Sequence, residues 1–148
     1  MPPLIADRNT PMRIGAIKED ALAAAIRIFT GALIMRNAAG FLTRGVTAIG
    51  WIGVGRADAR ADNTASAAGA MNATFRTGVF HFNTLPGDPV VRGGIGRLCF
   101  IVDDDTVAAT SATNTRSAVF VGSGRILDGI DANGVWVCLD EAVTRAAL

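Results

Sequence analysis

GVFHF (78–82), RLCFIVDDDTVAAT (97–110), TRSAVFVGSGRILDG (115–129) and DANGVWVCLD (131–140) decide how this chain is read. Each is a short run of Val, Ile, Phe, Leu or Trp cut off by Gly, Asp, Asn or Thr, the rhythm of consecutive β-strands joined by tight turns. In GVFHF, Phe80 and Phe82 fall on one face and Val79 and His81 on the other. In the last run Val135, Val137 and Leu139 alternate with Trp136 and Cys138, so both faces are apolar, as in a strand covered on both sides.

Working upstream, AMNATFRTGVFHF (70–82) reads as one long strand bent at Gly78. VTAIGWIGVGR (46–56) reads as a strand whose Gly50, Gly53 and Gly55 predict a bulge, a sharp bend or the close approach of another backbone. Between them, residues 57–69 read as a loop of small residues with no core-forming side chain. Asn37 to Phe41 is a turn. The stretch from Ile17 to Arg36 fits two readings: Leu22, Ile26 and Phe29 have helical spacing, while Ile26 and Ile28 alternate as in a strand. Local propensity alone favours a short helix over Glu19–Ile26. The first sixteen residues form an extended arm, because Pro2, Pro3 and Pro11 oppose helix and little there can build a core. Residues 17–148 form one β domain, an all-β barrel or sandwich with little helix beyond a turn in the tail EAVTRAAL.

Composition narrows the function. The 148 residues are 50% hydrophobic, 6% aromatic and 18% charged, with a net charge of +1. The arginines are scattered singly and Lys18 is the only lysine, so no basic patch points to nucleic acid. Arginine without lysine, on a chain of low charge, fits protein–protein contact. No segment is long and apolar enough to span a membrane, and the N-terminus lacks the apolar stretch of a signal peptide. Cys99 and Cys138 make no disulfide framework; they read as buried small hydrophobes, bridged only if their strands are neighbours.

Each candidate reactive group reads better as structure. Asp103-Asp104-Asp105 is dense enough in carboxylate to raise a Ca²⁺ or Mg²⁺ site, but consecutive residues of an extended chain point to opposite faces, and the alternating ligands of an EF-hand loop are missing. A solvated β-turn between Val102 and Thr106 is the expectation. His81 is the sole histidine, so any triad or histidine-rich metal site depends on it, and no Gly-x-Ser-x-Gly accompanies it. Gly53-Val54-Gly55-Arg56-Ala57-Asp58 and Gly122-Ser123-Gly124-Arg125-Ile126-Leu127 begin like GxGxxG but lack its third glycine. Trp51 and Trp136 sit within apolar runs and are expected in the core. The expectation is a protein with no catalytic residue, no metal and no cofactor.

In their order, GVFHF, GRLCFIVDDDTVAAT, the Thr-rich turn with Arg116, the strand to Gly124-Arg125-Ile126, and DANGVWVCLD resemble the capsid decoration proteins of tailed bacteriophages. FTGALIMRNAAGF and GWIGVGRADARADNTASAAGA look like the N-terminal half of those proteins, so the resemblance runs from about Phe29 to Leu139. It implies an all-β structural virion protein, often trimeric, that cements the lattice of the major capsid protein from outside. Such a protein is made in the bacterial cytoplasm and ends on the outer capsid surface. The resemblance also implies extended chain before GALIMRNAAG, which replaces the helix over Glu19–Ile26 with arm plus strand. The arm then becomes the expected attachment segment, through Pro2, Pro3, Leu4, Ile5, Arg8, Pro11 and Arg13. The alternatives are a receptor- or glycan-binding β-module of the virion and a head–tail or tail-tube component.

Overall fold

The structure is a computed structural model, and it describes residues 5–10, 15–121 and 134–148. Among these residues the chain is all-β apart from one short helix and one 3₁₀ turn, as the strand rhythm predicts. The strands are β1 (Ile17–Ala21), β2 (Ile26–Ile28), β3 (Leu33–Arg36), β4 (Leu42–Arg44), β5 (Ile52–Ala57), β6 (Ala61–Asn63), β7 (Asn72–Arg76), β8 (Gly78–Thr84), β9 (Leu98–Ile101), β10 (Thr106–Ala108), β11 (Ala118–Val121) and β12 (Val135–Leu139); α1 is Glu141–Ala147.

They form three sheets. One is open and five-stranded, in the order β1-β7-β5-β3-β4, and β2 and β6 make a two-stranded ribbon. The other five strands pair in a ring, β10-β8-β12-β11-β9, closed where Thr106 and Val107 run parallel to Asn83 and Thr84. The stretch 70–82 does bend at Gly78. β7 belongs to the open sheet and β8 to the ring, and Gly78 between them has φ +148°, a conformation side chains disfavour. One continuous run of sequence thus serves both sheets.

Two cores follow from this layout. The first fills the ring with Phe82, Cys99, Ile101, Val107, Val119, Val135, Val137 and Leu139, and also takes Leu33 and Met35 from β3. The second gathers Leu22, Ile28, Ile34, Leu42, Val54 and Phe75. β3 is therefore buried on both faces, with neighbouring residues entering different cores.

The glycine-rich run is a shorter strand than its apolar residues predict, starting at Ile52, and it carries the predicted bulge. Ile34 opposes Gly55 and Met35 opposes Gly53, which leaves Val54 as the extra residue. Gly55 also meets the close approach expected of it: a Cβ there would lie 2.6 Å from Cδ2 of Phe75.

Three elements differ from the reading of the sequence. Residues 57–69 are not all loop, because β6 pairs with β2 and Asn63 is buried. Asn63 earns that place through its amide, which donates to the carbonyls of Ala23 at 2.9 Å and Ala67 at 3.0 Å. The tail forms the seven-residue α1 in place of a single turn. Asp140 caps it by accepting from the Val143 N–H at 3.0 Å, and Thr144 is fully buried. Trp136 lies half-buried on the outer face of the ring, edge-on to His81 with ring centres 5.4 Å apart; Trp51 does pack on the ring core.

Two short strands, β1 and β2, joined through a turn at Ala24 and Ala25, replace helix over residues 17–28. β1 pairs along its whole length with β7, from Ile17↔Arg76 to Ala21↔Asn72. The backbone groups a helix would satisfy internally are taken up by a neighbouring strand, and tertiary pairing overrides local propensity.

Candidate functional site

The expected attachment segment enters the fold at Ala16, whose carbonyl accepts from the Thr77 N–H at 3.0 Å. Ile5 to Thr10 are exposed, Ile5 at 99%, and Arg8 makes no ion pair among the described residues. Pro2, Pro3, Leu4, Pro11 and Arg13 lie outside the described residues. So do the second glycine pattern, Gly122 to Leu127, and the turn residues Asp131 to Asn133. What can be placed of the arm is an apolar and a basic side chain held out from the domain, leading into an edge strand.

The acidic triplet is a turn, with one addition to the expectation. The Val102 N–H donates to the Thr106 carbonyl at 3.0 Å, and Asp103 Oδ1 accepts from the Asp105 N–H at 3.0 Å. The Asp104 carbonyl, however, accepts from the Leu33 N–H at 2.8 Å, which docks the turn on β3. Burial, and then the charge of Asp103, raise the Asp104 carboxyl above its ordinary range despite Arg44. Among the described residues no group of three or more His, Cys, Asp or Glu is placed to hold a metal ion.

His81 stands exposed on β8 opposite Trp136 on β12. Cys99 and Cys138 are both free thiols. They pair with β11 from opposite sides, Cys99 with Val119 and Cys138 with Phe120, so their strands are not neighbours. Burial pushes both thiols up and away from the reactive thiolate. Gly53 to Ala57 lie within β5, which leads through a turn to β6; no helix follows to receive a dinucleotide phosphate.

The densest polar constellation is one that sequence reasoning missed. Arg36 on β3 is 19% exposed and joins three parts of the molecule. Its Nη1 donates to Asp20 Oδ2 at 2.6 Å and to the Gly40 carbonyl at 2.7 Å, and its Nε donates to Glu141 Oε1 at 3.0 Å. The partners lie 16 and 105 residues away in sequence, so no local pattern exposes the cluster. Burial alone would raise both carboxylates; the Arg36 hydrogen bonds, helped by the Ala21 N–H at Asp20 and by Arg145 at Glu141, outweigh it and leave both below their ordinary range.

Depressed carboxylates stabilise the fold above their unfolded pKa, and the stabilisation is lost as pH falls through the folded value. Arg36→Met is therefore expected to cost about 1–2 kcal/mol near pH 7, a range already discounted for solvent screening at half-exposed Asp20. As the pH is lowered toward 2 and the two carboxylates take up protons, the cost should shrink. Urea midpoints of both proteins at the two pH values check this; an equal gap at pH 2 would mean that Arg36 acts through packing.

A second unforeseen feature is a trough of about 310 Å³ lined by Ala25, Ile26, Arg27, Phe29, Arg44 and Thr64. Phe29 is 50% exposed and carries the Arg60 guanidinium over its ring at 5.1 Å. Arginines that look scattered in sequence meet here because β2, β4 and the β5–β6 turn converge. The outward alternation of Arg27 within Ile26-Arg27-Ile28 is the one local signal of it.

Among the described residues the carboxylates of Asp20, Asp58, Asp62, Asp88 and Glu141 are held in ion pairs with arginines. Comparison with protein-family models, with curated proteins and with solved structures finds no match. Among the described residues, no helix is long and apolar enough to cross a membrane.

Proposed function

We propose that this protein is a structural component of a tailed-phage virion that binds the outside of the capsid and stabilises the major capsid protein lattice, without catalysis. The observation that carries the reading is the ordered series of segments from Phe29 to Leu139 that resembles capsid decoration proteins. The all-β fold of the described residues supports it, as does the exposed chain from Ile5 to Thr10 ahead of edge strand β1. Its partners on this reading are the major capsid protein and neighbouring copies of itself, as homotrimers.

The physical role is linkage. A protein that binds only the assembled shell stabilises it by mass action, about 2.7 kcal/mol per site at a hundred times its dissociation constant. The arm contributes strand-like contacts at little cost in folding, since Ile5 to Thr10 are exposed.

The test is to add the full-length protein to phage heads that lack it and to image them by cryo-electron microscopy. Density over the whole head is the expected result; density only at a portal or tail would establish the head–tail alternative. Binding to a glycan array with empty heads would establish the receptor-binding module. A variant lacking residues 1–15 is expected to keep its melting temperature and to lose at least about tenfold in head affinity, roughly 1.4 kcal/mol. Unchanged occupancy would remove the arm from the attachment.

A further inference from the structure

The trough beside Phe29 joins carbon surface to hydrogen-bonding groups of both kinds. Ala25, Ile26 and Phe29 supply the carbon, and Phe29 stays 50% exposed although the Arg60 guanidinium lies over its ring at 5.1 Å. At about 310 Å³ the trough stands at the small end of ligand sites, with room for one ring and not for a length of chain.

Its polar groups have unused capacity. Arg44 is exposed and makes no hydrogen bond or ion pair among the described residues, so its planar fork can take a carboxylate through two parallel bonds. Arg27 gives only its Nε to Asp62, at 3.0 Å, and its terminal nitrogens remain donors. The Thr64 hydroxyl donates to Asp62 Oδ1 at 2.7 Å, which leaves the Thr64 oxygen as an acceptor. Asp104 acts on Arg44 by its charge, without an ion pair. Arg27, Arg44 and Arg60 therefore stand against Asp62 and Asp104, and one positive charge is left over.

We infer that the trough binds one sugar acid, a polyhydroxylated ring carrying a single carboxylate. The carboxylate pairs with Arg44, ring hydroxyls donate to Thr64 Oγ1 and accept from Arg27, and C–H groups of the ring lie on Phe29 and Ile26. One carboxylate balances the surplus charge, whereas a phosphate dianion exceeds it beside Asp62. A bare carboxylate leaves the Thr64 oxygen and the carbon surface unused, and a neutral sugar leaves Arg44 unused. The inference does not rest on the capsid reading, and its test uses no virion.

The experiment titrates the full-length protein, at constant ionic strength, with sodium glucuronate, glucose, sodium acetate and glucose 6-phosphate, following the amide signals by NMR. Glucuronate is expected to bind saturably and at least about tenfold tighter than the other three, since each of them forfeits a charge-assisted bond, the ring or the charge match. The shifts should gather at Ala25–Phe29, Arg44 and Thr64. Arg44→Gln is expected to weaken glucuronate at least about tenfold, while Thr64→Val weakens glucuronate and leaves acetate unchanged. Arg92→Gln, at an exposed arginine that does not line the trough, is the control and should leave affinity unchanged. No saturable binding of glucuronate, equal affinity for glucose or acetate, tighter binding of glucose 6-phosphate, or an equal loss in Arg92→Gln would each overturn the inference.

Discussion

Gly53→Val is expected to lower the melting temperature by roughly 6–12 °C, from a loss of about 3 kcal/mol in a domain of this length. Gly53 is buried on β5 where the open sheet lies across the ring. A Cβ at position 53 would overlap Cγ1 of Val119 on β11 and stand 3.2 Å from Cδ1 of Ile101 on β9. Both neighbours are fully buried, so neither can swing out to solvent. Valine adds two further methyl groups to that overlap. The sheets must then separate or Val119 must leave its rotamer, and overpacking of this kind costs about 1–3 kcal/mol, with bulkier insertions at the upper end.

A double-mutant cycle makes the cause testable. Gly53→Ala and Val119→Ala are each expected to destabilise, the first by crowding and the second by a cavity. Combined, the two should fall short of their sum by about 1 kcal/mol, because the new methyl group occupies space the valine gave up. Strict additivity in urea melts would show that Gly53 is needed for its backbone and not for the close approach.

Position 53 also shows what can be read from sequence and what cannot. Glycine at alternating positions in an apolar run announces that something comes close, and the bulge at Val54 follows from the same pattern. That the visitor is Val119, some sixty-six residues on, is a property of sheet stacking and leaves no local trace. The same division holds elsewhere. The bend at Gly78 and the turn at Asp103–Asp105 are written in their own residues, as period-two alternation interrupted by a glycine or a polar cluster. The two short strands over residues 17–28 are not, because the alanines there favour helix and only pairing with β7 and β6 settles the matter. β6 was hidden for a related reason: one buried asparagine in a field of small residues holds it, through two amide hydrogen bonds that hydropathy does not register.

The candidate binding surfaces divide in the same way. The exposure of Ile5 to Thr10 is legible because the absence of core-forming residues there acts locally. The trough beside Phe29 is not, because the Arg27 and Arg44 that line it come from β2 and β4, strands sixteen residues apart in the chain. Arg36 with Asp20 and Glu141 is a third case, an ion cluster tying β1, β3 and α1 that exists only once the sheet is assembled.

Truncating Leu33 to alanine is expected to cost about 2–5 kcal/mol, a large share of the 5–15 kcal/mol that holds a typical domain together. The side chain is fully buried among Phe82, Ile101, Val107 and the other residues of the ring core, although its backbone belongs to the open sheet. The main-chain bonds at this residue, from its N–H to the Asp104 carbonyl at 2.8 Å and from the Gly45 N–H to its carbonyl at 2.7 Å, do not depend on the side chain. The loss is then a cavity in the ring, opened from a strand that is not part of it. Ile34→Ala, one residue on, empties the other core, among Leu22, Ile28 and Val54. Hydrogen exchange separates the two: Leu33→Ala should speed exchange first at β9 and β12, and Ile34→Ala first at β1 and β7. The two costs should add to within about 0.5 kcal/mol if the cores are independent, despite adjacency in sequence. A strong coupling between them would mean that β3 shifts as a rigid bar, transmitting a cavity on one face to the packing on the other.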